Sequence, residues 1–169
     1  MIGSDARRAA TTERQPSTVI GLAALARMAF RGADLGAMTR SLGERRRRDP
    51  EDAAARLDLS LLELFQGREH DHALLQAEAL GLRKHYRHEP AIASSDPLRI
   101  LALAAPGNLM ANTPIEFLVE NSDIVLDVLY VAPGSPLPDP VPPHDAAFVA
   151  VAEGDGNRSE ERRVGKEVR

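Results

Sequence analysis

Two hydrophobic periods divide the chain. From residue 17 to residue 88 apolar positions recur at helical spacing, whereas from residue 98 to residue 157 they fall in continuous runs between turn residues. Ser17 as a cap predicts a helix over Thr18–Arg31, with Ile20, Ala24 and Met28 on one face and Gly32 as the break. A second helix, Asp34–Arg47, carries Leu35, Met38 and Leu42. Asp49-Pro50-Glu51-Asp52 sets an acidic cap, a proline at the first helical position and further acids at the positive end of the dipole. The third helix that it starts runs to Phe65, with Leu57, Leu61, Leu64 and Phe65 expected in the core. Gly67 breaks it, and a fourth helix over Glu69–Arg87 turns Leu74, Leu75, Ala79 and Leu82 inward.

At "HEPAIASSDP" the composition shifts, and residues 89–97 read as a linker. Beyond it Leu98–Ala104, Asp123–Val131 and Ala146–Glu153 are apolar runs of strand length. A helix is expected after the first strand, with Asn112 or Thr113 as cap, Pro114 at its first position and Glu116 in its first turn. A proline-rich crossing precedes the last strand. Strand, helix, strand, strand predicts half of a doubly wound parallel sheet. The expected fold class is therefore α + α/β, a pair of helical hairpins over residues 17–88 followed by a partial Rossmann-like sheet over residues 98–157. Residues 1–16 are polar and aperiodic, a disordered leader.

Composition narrows the function classes. A net charge of −4 argues against a general nucleic-acid binder, which needs a basic field. With no cysteine, disulfides and thiolate metal sites are excluded. The run near Val19 is too short and too charged for a signal peptide, and no apolar stretch reaches membrane length, so a cytoplasmic protein is expected.

The strand-end loops are the natural places for chemistry, because parallel sheets bind ligands beyond their carboxyl edges. The first is Ala105-Pro106-Gly107-Asn108, and the Asn112-Thr113 helix start could offer free amides to an anion or simply cap its own first turn. Gly107, Asn108, Asn112 and Thr113 are the candidate substrate-binding residues. Neither this loop nor the second one, Glu153-Gly154-Asp155-Gly156-Asn157, is a dinucleotide fingerprint or a phosphate loop. His70 and His72 lie on different helix faces, and His85 and His88 lack a spaced acid, so solvated histidines are expected and no metal site. His144-Asp145 reads as a turn, and no catalytic residue set can be assembled. Arg45 to Arg48 form the one basic cluster, which a solvated helix end explains.

Two resemblances add to this reading. "LAALARMAFRGADL" from Leu22 and "LDLSLLELFQGREH" from Leu57 align Leu22 with Leu57, Phe30 with Phe65 and Gly32 with Gly67, and so resemble tetratricopeptide repeats. The second unit departs from that pattern at Arg56 and His72. "APGNLMANTPIEFLVE" and "HDAAFVAVAE" are similar to the Rossmann-like domain ahead of the ATP-grasp fold in glutathione-synthetase-like ligases with helical N-termini. This resemblance implies an N-terminal, non-catalytic fragment of an ATP-dependent carboxylate–amine ligase. ATP and magnesium would bind in a domain beyond it, and the residues present would contact the acceptor, a small molecule. "RSEERRVGKE" resembles a translated sequencing adapter, which implies that Arg158–Arg169 is an artefactual, disordered tail. The alternative is a tetratricopeptide-like module whose hairpins hold a protein partner.

Overall fold

The computed structural model describes residues 18–132 and 136–152. The leader, the Ser17 cap, the second strand-end loop from Glu153 to Asn157 and the tail lie outside the described residues. Four helices precede the main sheet: α1 Leu22–Phe30, α2 Leu35–Arg48, α3 Ala53–Phe65 and α4 Glu69–Leu82. A four-stranded sheet follows, β1 His85–His88, β2 Arg99–Ala104, β3 Val125–Tyr130 and β4 Ala146–Val149, with the single turn α5 Glu116–Val119 between β2 and β3. Helices plus a small sheet were expected; an all-parallel sheet was not found. The strand order is β1-β3-β2-β4, with β2 parallel to β3 and β4, and β1 antiparallel to β3.

The fourth helix is shorter than its periodicity predicts. It ends at Leu82, and His85–His88 becomes an edge strand that pairs Tyr86 with Val128. Tyr86 is almost fully buried and donates its hydroxyl to Ala79 O at 3.1 Å, so anchoring the aromatic ring outweighs one more helical turn. The chain thus enters the sheet before the proline-containing linker. The acidic start of α3 also differs. Asp52, not Asp49, is its cap and accepts from Ala55 N at 2.8 Å, while Asp49 closes α2.

Strand alternation separates the two faces of the sheet. Ala102, Ala104, Leu126 and Val128 face the helix side with Ile115, and Tyr86 and Tyr130 continue that layer against Val19, Ala53, Leu57 and Ala79. Leu101, Leu103 and Leu129 face the other way, onto Leu137 and Val141 of the proline-rich crossing. Between α1 and α2, α3 is the central helix. Leu25, Leu42, Ala55, Leu59 and Leu62 form its second core. The expected stripe is shifted, since Leu62 is fully buried while Leu61 and Leu64 are half-buried, facing a cavity. On α4 the inward positions are His72, Gln76 and Ala79, whereas Leu74 and Leu82 are exposed.

Candidate functional site

A cavity of about 70 Å³ opens at the carboxyl ends of β2 and β4, between the sheet and helices α1, α3 and α4. All four predicted residues, Gly107, Asn108, Asn112 and Thr113, line it. Its volume has room for about five water-sized groups, far below the several hundred Å³ of a typical drug-sized pocket. Its floor is apolar, built by Ala102, Ala104 and Val128 of the strands and by Leu57 and Leu61 of α3.

The loop at its rim is held by two side-chain amides. Gln76 on α4 accepts from Gly107 N at 2.8 Å and donates to Gly107 O at 3.1 Å. Asn112 does the same two residues upstream, accepting from Ala105 N and donating to Ala105 O, both at 2.7 Å. Each amide satisfies a backbone donor and acceptor that leave the sheet at the strand end. Thr113 N donates to Ala150 O at 2.6 Å, and Ala152 N to Ala111 O at 2.9 Å, which ties the loop to the end of β4. Of the two readings of the Asn112-Thr113 start, an anion site or a cap of its own first turn, the Thr113 bond goes against a free Thr113 amide for an anion. The helix there is a single turn starting at Glu116, and the Thr113 amide has a backbone partner. Gly107 and Asn112 therefore shape the rim, and the exposed Asn108 and Thr113 also line it, Asn108 Oδ1 accepting from Met110 N at 3.0 Å.

His72 was expected in solvent and is instead buried beside Gln76, its ring nitrogens 3.0 Å from Ser60 O and 3.1 Å from Gly107 O. His85 and His88 find acids that sequence spacing along one helix could not reveal. His85 Nε2 lies 2.6 Å from Asp127 Oδ1, and Arg87 Nε donates to the same oxygen at 2.9 Å. Burial pushes the Asp127 carboxyl up, but the bonds from His85 and Arg87 outweigh it and hold the group below the usual range. This cluster lies on the opposite face of the sheet from the cavity. His88 Nε2 is 3.8 Å from Glu116 Oε1.

Two carboxylates organise the cavity's α1 side. Glu116 Oε2 accepts from Ala23 N at 3.1 Å. Asp58, fully buried on α3, accepts from Ile20 N at 2.9 Å and Gly21 N at 3.0 Å, and so caps α1 from a neighbouring helix. Burial pushes the Asp58 carboxyl up to about 6, against the opposing pull of the Gly21 and Ile20 amides and Arg45. The folded state then binds this proton more tightly than the unfolded chain, so stability falls as pH rises from about 4 to about 6 and is flat above on this account. Asp58→Asn should remove that slope, which is worth on the order of 2–3 kcal/mol. Urea denaturation at steps across this range measures it, and an unchanged slope in the variant contradicts the assignment.

Tyr130 completes the wall, edge-on to Tyr86 at 6.1 Å. Burial pushes its hydroxyl pKa up, which keeps it a neutral donor and acceptor. Besides His88, Glu116 is the one ionisable acid or base among the lining residues apart from the tyrosines, and no lysine or arginine lines the cavity. A polyphosphate would meet the Glu116 carboxylate and, among the described residues, no lysine or arginine, so these residues do not fit ATP or its magnesium. No cluster of three or more His, Asp or Glu side chains suited to a metal occurs among the described residues. No helix among them is long and apolar enough to cross a membrane. Searches against protein-family models, curated proteins and solved structures return no match.

Proposed function

We propose that the chain carries the helical and substrate-side parts of a cytoplasmic ATP-grasp-type carboxylate–amine ligase, with α1–α4 as a tetratricopeptide-like hairpin pair and β2, β3 and β4 as its Rossmann-like sheet. On this reading the cavity takes the end of the acceptor, a small amine or amino acid, and ATP and magnesium bind elsewhere in the ligase. The observation that carries it is the convergence of Gly107, Asn108, Asn112 and Thr113 on one cavity at the carboxyl edge of parallel strands. The size supports recognition of a substrate's tip. The chemistry offers Glu116, the Tyr130 hydroxyl and the Asn108 amide against an apolar floor.

A second reading, a docking surface on the helices for a protein partner, is favoured by the exposed Phe30, Leu74 and Leu82. One experiment separates the two. Amide chemical shifts are followed while small amino acids and primary amines are titrated into the full chain. Saturable shifts at Asn108 and Thr113 are expected. Saturable shifts confined to α1 and α4 would favour the docking reading, and a panel with no saturable shift overturns the ligand reading.

A further inference from the structure

We propose that His72 positions the rim of this cavity as a donor at both ring nitrogens, which makes the rim proton-sensitive; the inference deepens the reading of the cavity as a ligand site and rests on it. The ring is buried between two backbone carbonyls, Ser60 O at 3.0 Å from Nδ1 and Gly107 O at 3.1 Å from Nε2. Carbonyl oxygens only accept. A neutral imidazole carries one N–H, so in that form one of the two contacts sets a lone pair against a lone pair. The imidazolium satisfies both. Buried polar groups without a partner are costly, so these two contacts favour the doubly protonated ring against the cost of burying its charge.

The consequence falls on Gly107. Its carbonyl receives both His72 Nε2 and Gln76 Nε2, and its amide donates to Gln76 Oε1. Loss of one imidazole proton removes one donor from the joint between α4 and the loop or from that between α4 and α3. Gln76 keeps the loop attached, so the rim loosens and does not detach. The groups that face the ring do not titrate: the Ser60 backbone on α3, the loop from Ala105 to Thr113 without an ionisable side chain, and Gln76 one turn along α4. One turn from Ser60 on α3, Glu63 is paired with Arg68 and Arg56 with Glu78. Glu69, His70 and Asp71 of α4 are exposed. The ring itself is therefore the group whose protonation sets the joint, and the rim is tightest when both ring nitrogens carry a proton and looser when one is lost.

The test uses the full chain without ligand. Imidazole ¹⁵N shifts report how many His72 nitrogens carry a proton. Hydrogen exchange at Gly107, taken relative to Leu103 in β2 to cancel changes in global stability, reports the rim. Two protonated nitrogens at the acid end are expected, with Gly107 protection falling about five-fold as the pH is raised, the effect of one hydrogen bond. His72→Gln should make this relative protection independent of pH, and His70→Gln on the exposed face should keep the wild-type profile. A single protonated nitrogen at the low end, a flat wild-type profile, or a slope that survives in His72→Gln overturns the proposal. Should His72→Gln fail to fold, the two wild-type measurements decide alone. No readout involves a ligand, so a cavity that binds nothing would overturn the ligand reading and leave this result standing.

Discussion

Leu62→Ala is expected to lower stability by ~2–5 kcal/mol, the range for truncating a buried leucine. Leu62 is fully buried on the central helix, packed with Leu25, Leu42, Ala55 and Leu59, and this cluster joins α1, α2 and α3. Domains of ordinary size hold only ~5–15 kcal/mol, so this one change removes a large share. Leu61→Ala should cost clearly less, because Leu61 is half-buried and lines the cavity. Urea denaturation of both variants checks the order. A Leu62→Ala loss below ~1 kcal/mol, or a larger loss at Leu61, contradicts the packing.

Gly21→Ala should be comparably severe for a different reason. Gly21 sits at φ 87 and ψ 168, a region open to little but glycine. An added Cβ would stand 2.5 Å from His88 Cε1 and 2.6 Å from Glu116 Oε2, where strand β1, α5 and the start of α1 meet. Backbone strain contributes ~1–3 kcal/mol and crowding another ~1–3 kcal/mol. Gly67→Ala is the control. Its φ is also positive, at 74, but a Cβ there meets nothing within 4 Å, so only the backbone part should appear. Equal losses at Gly21 and Gly67 would show that the close approach at α1 is not real.

The elements that announce themselves by period or punctuation were legible. Gly32 and Gly67 do end helices, and the three apolar runs are the strands β2, β3 and β4 within a few residues. That the loop after β2 would border a cavity was legible too, because a loop after a parallel strand is where such a sheet leaves room. What stayed hidden depends on contacts distant in sequence. Nothing in "HYRH" competes with a continuing helix until Tyr86 is seen to find Val128 and the Ala79 carbonyl. The leucines of α4 pointed to one inward face, but His72 and Gln76 take it because the Gly107 loop presents a backbone N–H and C=O there. A polar pair spaced four apart beside an inward alanine is the one available signal, and it becomes informative only once the loop is known. Asp58 is similar. A carboxylate amid leucines is explained by the amides of Ile20 and Gly21, thirty-seven or more residues away.

On the ligase reading a small molecule binds in the cavity over Ala102 and Ala104. Ala104 is 5% exposed and lies on its floor, so Ala104→Leu puts a larger side chain into the space from below. The most direct measurement is the amide-shift titration with small amino acids and primary amines, run on the wild-type chain and on this variant, with urea denaturation confirming that the variant is folded. Saturable shifts at Asn108 and Thr113 are expected in the wild type, and their loss in Ala104→Leu. The same shifts, at the same concentrations, in both chains would contradict this reading.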